Sequence, residues 1–165
     1  MSEVLVYTVH QGGVGAWSRY EFPYQIEEIA QLDGELYVRT GNYIMRMTTD
    51  VYTDETAPGV KTAFDSIVQW PWLDFETPGR TKQMIGVDIV GTGSPVLAIG
   101  YDQTNINTFT PDYAVPADTL PGMIVAMPVS APSFSVRLTY KGGSIGQYWR
   151  LNSIQFYFND DREAS

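Results

Sequence analysis

The sequence contains no cysteine and only one histidine among its 165 residues. The lack of cysteine excludes disulfides and thiolate metal sites, and it is compatible with any redox compartment. A single histidine excludes a three-histidine zinc site. His10 lies in a glycine-rich turn, and no G-x-S-x-G nucleophile motif occurs in the chain, so we interpret it as an ordinary loop residue.

Basic residues and long apolar runs are also scarce. Ten Lys and Arg stand against nineteen Asp and Glu, which gives a formal net charge of −9. Because nucleic-acid affinity comes largely from cations that neutralise phosphates, we expect no specific binding of nucleic acid. No apolar run approaches the roughly 20 residues of a membrane helix, and the N-terminus lacks the features of a signal peptide. We therefore expect a soluble protein without a membrane contact.

Aromatic residues, glycine and proline are abundant instead. The chain has eleven Tyr, seven Phe and four Trp, and these side chains suit a pleated, half-buried surface. Fifteen Gly and ten Pro interrupt the sequence often, as short strands require. With 44% hydrophobic and 18% charged residues the composition is that of a globular protein. It predicts an all-β fold with no helix longer than a turn or two.

The N-terminal part alternates between apolar and polar residues with a period of two, which is typical of half-buried strands. Asp33-Gly34 and Gly41-Asn42 separate these runs and suit two-residue hairpin turns. The stretch from Ala16 to Arg46 therefore reads as a β-meander. With a first strand it gives four or five strands by Met47, about the content of one propeller blade. The alternating runs are Glu3–Val9, Trp17–Phe22, Glu35–Arg39 and Tyr43–Met47.

The remainder of the chain predicts an antiparallel β-sandwich of jelly-roll type. The polar, acidic segment Thr48–Lys61 contains Pro58-Gly59 and reads as a linker or long loop. We place the domain boundary near Ala57, so that residues 1–57 form the blade-like meander and residues 58–165 the sandwich. Residues 102–118 read as a surface excursion with a short strand near Asn107–Thr110. The predicted strands are Thr62–Gln69, Met84–Val90, Ser94–Tyr101, Met123–Met127, Phe134–Tyr140 and Tyr148–Phe158, with the fourth covered on both faces.

Several segments carry a resemblance to a known family. They are Trp-Ser-Arg-Tyr-Glu-Phe-Pro at 17–23, Leu-Asp-Gly-Glu-Leu-Tyr-Val-Arg-Thr-Gly at 32–41, and the shorter segments 69–75, 100–103 and 131–135. Their order resembles the tail tubular or nozzle proteins of short-tailed bacteriophages over most of Val4–Asp161. In that family such segments form blade-like sheets near the exit of the tail channel. The family's nozzle protein is several times longer, so the chain is similar to only one portion of it.

The resemblance implies a structural role without catalysis or a cofactor. It implies a protein made in the bacterial host cytoplasm and assembled into the virion tail as a homo-oligomer, a six-fold ring around the DNA channel. Adaptor proteins would lie above it and fibre or needle proteins below, and DNA would pass without specific binding. Five aromatic residues are the predicted packing or interface anchors: Trp17, Tyr20, Trp70, Trp72 and Trp149.

Two alternatives remain open at this stage. A carbohydrate-binding sandwich involved in host-surface recognition would use exposed Trp70 and Trp72 with acidic hydrogen-bond partners. A glycosidase would need a pair of acids, for which the sequence offers Glu27/Glu28, Asp74/Glu76 and Asp160/Asp161. Burial of the two tryptophans favours the assembly hypothesis, whereas an exposed aromatic platform favours sugar binding. An enzyme would require a pocket with convergent carboxylates. The oxygen-bearing side chains of residues 102–112 lack the spacing of a calcium-binding loop, which favours an ordinary polar loop.

Overall fold

The computed structural model describes residues 1–9, 12–13, 15–48, 51, 53–142 and 148–159. Within these ranges the chain forms fourteen strands in five antiparallel sheets and contains no helix. The predicted all-β, antiparallel fold is therefore confirmed. The same ranges hold no helix that is long and apolar enough to cross a membrane. The chain divides into two compact units, Met1–Ala63 (unit 1) and Phe64–Ser165 (unit 2).

Unit 1 contains three small sheets. Strands β1 and β2 form a hairpin, β3, β4 and β5 form a three-stranded meander, and β6 and β7 form a second hairpin. Pro23, which has no N–H to donate to a ladder, follows β2 directly, and β2 pairs with β1 rather than with β3. The strands are Ser2–Val9 (β1), Gly15–Phe22 (β2), Glu28–Leu32 (β3), Glu35–Thr40 (β4), Tyr43–Met47 (β5), Asp54–Ala57 (β6) and Val60–Thr62 (β7).

The β6–β7 hairpin lies in a segment that the sequence predicts to be a linker or loop. Pro58 and Gly59 are the two central residues of its turn, and Gly59 has a φ of 77°. Proline followed by a glycine with positive φ is typical of a type II turn. The Glu55 carboxylate accepts a hydrogen bond from the Gly59 N–H at 2.5 Å and holds this turn. The prediction of a linker or long loop is therefore wrong for residues 54–61, because proline and glycine here connect two paired strands. The boundary predicted near Ala57 falls at this turn.

Unit 2 contains two sheets. The four-stranded sheet has the order β11-β10-β13-β8, and the three-stranded sheet has the order β12-β9-β14. Their inner faces share one core cluster, in which Phe134 and Leu138 are fully buried. Unit 2 is thus sandwich-like. The strands are Ser66–Gln69 (β8), Lys82–Thr92 (β9), Val96–Gly100 (β10), Tyr113–Ala114 (β11), Ile124–Ala131 (β12), Ser135–Tyr140 (β13) and Arg150–Phe158 (β14).

Two details of unit 2 differ from the sequence prediction. Met127 on β12 is fully buried while Ile124 is half exposed, so this strand is covered on one face and not on both. It is also an edge strand of its sheet. The short strand of the surface excursion is β11 rather than Asn107–Thr110, of which Phe109 makes an isolated bridge to Gly100.

Gly93, which directly follows β9, lies in close contact with the residues that precede β14. It has φ 86°, and a Cβ there would lie 2.8 Å from Cβ of Trp149 and 3.0 Å from its Cα. We expect Gly93→Ala to lower the free energy of unfolding by about 2–4 kcal/mol, from backbone strain and overpacking together. Urea denaturation of the purified variant measures the loss.

Gly79→Ala is the matched control for this substitution. Gly79 lies in the same unit at φ 75°, but no atom lies within 4 Å of the position its Cβ would take. We expect this control to lose about 1–2 kcal/mol from strain alone. Equal losses for the two variants would show that the Trp149 segment moves away without cost, and would contradict the prediction.

Candidate functional site

Unit 1 has very little core of its own. Of the fourteen buried apolar side chains among the described residues, only Phe22 and Val38 belong to it. Many of its other large apolar side chains are exposed on short, narrow sheets. A two-stranded hairpin is marginal in water by itself, and a unit of about 60 residues needs most of its apolar surface buried. The apolar surfaces of unit 1 are therefore the candidate contact sites of the chain.

One of these surfaces is the outer face of the β1–β2 hairpin. The register pairs Tyr7 with Trp17 and Leu5 with Arg19, so these side chains lie on one face, together with Val9. The Tyr7 and Trp17 rings lie 4.8 Å apart between centroids, and Trp17 is 69% exposed. We call Leu5, Tyr7, Val9 and Trp17 the outer hairpin face. Contiguous exposed apolar side chains of this kind mark interaction sites in soluble proteins.

Charged groups lie at one end of the outer hairpin face. Arg19 donates to the Glu21 carboxylate at 2.8 Å, and its guanidinium lies 3.9 Å from the Glu3 carboxylate. These side chains are more than half exposed, so the ion pairs contribute little to stability. With one arginine and two glutamates, this end of the outer hairpin face is acidic, and its cation is paired.

The second surface is a groove between the inner face of the hairpin and the β3–β5 sheet. All nine side chains that line it are apolar or aromatic, and it encloses a cavity of about 30 Å³. Its walls remain open, because Ile29 is 48% and Tyr20 46% exposed. We call this set the apolar groove: Val4, Val6, Tyr20, Phe22, Ile26, Ile29, Leu36, Val38 and Met47. A cavity of that size is far below the ~300 Å³ of a small-molecule site.

The three predicted anchors of unit 2 are half-buried. Trp70 is half-buried against the core cluster, its N–H donates to Val136 at 2.9 Å, and its carbonyl accepts from the Ser135 hydroxyl at 2.9 Å. Trp149 is half-buried against the same cluster. Trp72 is also half-buried, with its ring beside Gly100. The structure thus separates the five predicted anchors, since Trp17 and Tyr20 lie in unit 1.

The ring of Trp72 lies close to Gly100, which has no side chain. A Cβ at Gly100 would lie 3.3 Å from Cη2 of Trp72 and 3.2 Å from the Phe109 ring. The Arg137 guanidinium lies 3.9 Å from the centroid of Phe109 and covers that ring. The rings of Trp72 and Phe109 thus contact other groups of the same chain.

The carboxylates that the sequence singles out mostly bind neighbouring groups of the chain. These ranges hold no group of three or more His, Cys, Asp or Glu side chains that could bind a metal ion. Glu27 and Glu28 both bind Arg39, at 2.6 and 3.1 Å. Asp74 accepts a hydrogen bond from the Glu76 N–H at 3.1 Å within a turn. His10 lies outside the described residues.

Two carboxyl groups have shifted pKa values with plain structural causes. Hydrogen bonds from the Thr104 hydroxyl and N–H lower the pKa of the exposed Asp102. The side-chain oxygen of Asn105 likewise accepts a hydrogen bond from the Asn107 N–H at 3.3 Å. The side chains of Asp102 and Asn105 therefore stabilise the turns of a polar loop. Burial raises the pKa of Asp54, and burial together with the Asp54 charge raises the pKa of Tyr24. Neither shift comes from a pair of acids facing a pocket.

Comparison with protein-family models, with curated proteins and with solved structures finds no match for this chain. The candidate site therefore depends on the geometry of unit 1 alone. Trp17 and Tyr20 are among the anchors predicted from the sequence, whereas Tyr7 and the apolar groove are not. The alternation of Leu5, Tyr7 and Val9 was visible, and pairing it with the Trp17 strand in hairpin register would have found the outer hairpin face.

Proposed function

We propose that the chain is a non-enzymatic structural component of a phage tail, of nozzle or collar type. In this role it assembles around the DNA channel as a homo-oligomer through β-rich contacts between subunits. It would be made in the host cytoplasm and would function in the virion, next to adaptor and fibre or needle proteins. The observation that carries the assembly role is that unit 1 exposes the apolar surface from which a core would be built.

Three physical considerations support assembly rather than ligand binding. Narrow sheets with exposed apolar faces are stabilised when another surface covers them. The cavity of the apolar groove is too small for a metabolite, whereas its exposed walls suit a side chain of another protein. Trp70 and Trp72 are half-buried, which favours packing over a sugar platform. The phage assignment itself rests on the resemblance of the sequence segments.

The charge of the chain suits a conduit for DNA. A net charge of −9 repels the phosphate backbone, so DNA would slide past such a protein without being held. Arg19 and Arg39 are each paired with glutamates. In this role DNA is a passing cargo and not a ligand.

Light scattering of the purified chain tests the proposal. We expect a discrete oligomer at ~100 µM protein, and a larger oligomer fraction in 500 mM than in 20 mM salt, because screening weakens the repulsion between acidic copies. Electron microscopy of the same sample should show closed rings with an open centre. A strict monomer across both salt concentrations would refute assembly, and a linear filament without rings would refute the collar role.

A further inference from the structure

We infer that the outer hairpin face of one copy packs against the apolar groove of a second copy, in a head-to-tail contact. This inference rests on the proposed function and names the surfaces that carry the assembly. The two surfaces lie on the same unit but on different sides of it. Each copy would therefore offer one surface to each of two neighbours.

The register of the hairpin explains why the outer hairpin face cannot pack against the apolar groove of the same copy. Adjacent side chains of a strand point to opposite faces. Val6 and Tyr20 point toward the groove, whereas Tyr7 and Trp17 point away from it. The outer hairpin face of a copy therefore cannot reach the apolar groove of the same copy.

The two surfaces match in chemistry and approximately in size. The groove is lined by apolar and aromatic side chains alone, and the outer hairpin face offers two aromatic and two aliphatic side chains. With about 150–250 Å² for a large exposed side chain, their exposed fractions leave roughly 500 Å² on the face and roughly 350 Å² on the groove walls. The sum, roughly 850 Å², lies below the ~1,200–2,000 Å² of a stable specific interface and in the range of weak contacts, which suits assembly at high protein concentration.

A second copy of the chain is the partner that can cover both apolar surfaces of unit 1. A single foreign partner would cover one of them and leave the other in water. A head-to-tail contact covers both on every copy except at an open end, and it produces a ring if the rotation closes or a filament if it does not. The rim of the outer hairpin face carries Arg19 already paired with Glu21, so no unpaired cation is buried by the contact.

Mixing two complementary variants tests the head-to-tail contact. Trp17→Glu places a charge on the outer hairpin face, and Ile29→Glu places one on the groove wall. We expect each variant alone to be a monomer, and the equimolar mixture to form a 1:1 dimer that grows no further. The intact groove of the first variant then binds the intact face of the second. Sedimentation velocity at the wild-type assembly concentration measures this.

Ile44→Glu is the matched control. Ile44 is 75% exposed on β5, but it pairs with Arg39 on the side of the sheet away from the groove. We expect this variant to assemble as the wild type does. A mixture of the two test variants that stays monomeric, or test variants that assemble like the control, would overturn the inference.

Cysteine cross-linking gives a second readout that does not introduce charges, and the absence of native cysteine makes it clean. We expect Leu5→Cys mixed with Ile29→Cys to form disulfide-linked dimers under mild oxidation, at least ten times more than either variant alone. Leu5→Cys that cross-links with itself would instead indicate a symmetric face-to-face contact. A wild type that assembles without the mixed cross-link refutes the inference only, whereas a monomeric wild type refutes the proposed function as well.

Discussion

A fragment of residues 64–165 is expected to fold alone, whereas a fragment of residues 1–63 is expected to stay largely unfolded at low micromolar concentration. The first retains twelve of the fourteen buried apolar side chains, and the second retains only Phe22 and Val38. Ordering a residue costs roughly 1–2 kcal/mol of backbone entropy, and only buried apolar surface offsets that cost. Unit 1 has too little of such surface without a covering partner.

Circular dichroism with urea denaturation measures both fragments. We expect one cooperative transition for residues 64–165, with a midpoint close to the main transition of the full chain. For residues 1–63 we expect no cooperative transition at 5 µM and a gain of β-signal at several hundred micromolar, where copies cover one another. A stable, cooperative monomer of residues 1–63 would remove the main physical argument for an assembly role.

The fold class could be predicted from the sequence because alternation and turn chemistry are local properties. Asp33-Gly34 was expected to form a tight turn, and both residues have positive φ, at 51° and 82°. The apolar-polar alternation on β13 is equally regular, and Val136 and Leu138 are fully buried while Arg137 between them is not. Such patterns depend only on which side of a strand each side chain points to.

The candidate site could not be predicted in the same way because it depends on which strands become neighbours. Trp17 is a predicted anchor, and hairpin pairing places Tyr7 across from it, but no local pattern shows that both side chains face solvent. The apolar groove combines side chains from β1 to β5, whose proximity is set by tertiary packing. Exposure of apolar residues is a property of the folded arrangement and not of the sequence pattern.

Replacing Phe134 with alanine should cost unit 2 about 3–5 kcal/mol of unfolding free energy, the usual range for a large aromatic side chain removed from a core. Phe134 is fully buried, and its ring centroid lies 5.9 Å from that of Phe158 and 6.4 Å from that of Phe75. Its backbone also bridges Leu73 through hydrogen bonds of 2.8 and 3.0 Å, which alanine retains. The loss therefore reports the ring and the cavity it leaves.

Phe64→Ala is the control for this substitution, since Phe64 is 44% exposed and lies in the same unit. We expect it to cost no more than about 1 kcal/mol, because alanine there leaves no enclosed cavity. Urea denaturation followed by tryptophan fluorescence measures both variants, with Trp70 and Trp149 packed against the core as reporters. Equal losses at the two positions would mean that the Phe134 cluster is loosely packed, and the unit 2 core would then not be the rigid support that a tail subunit requires.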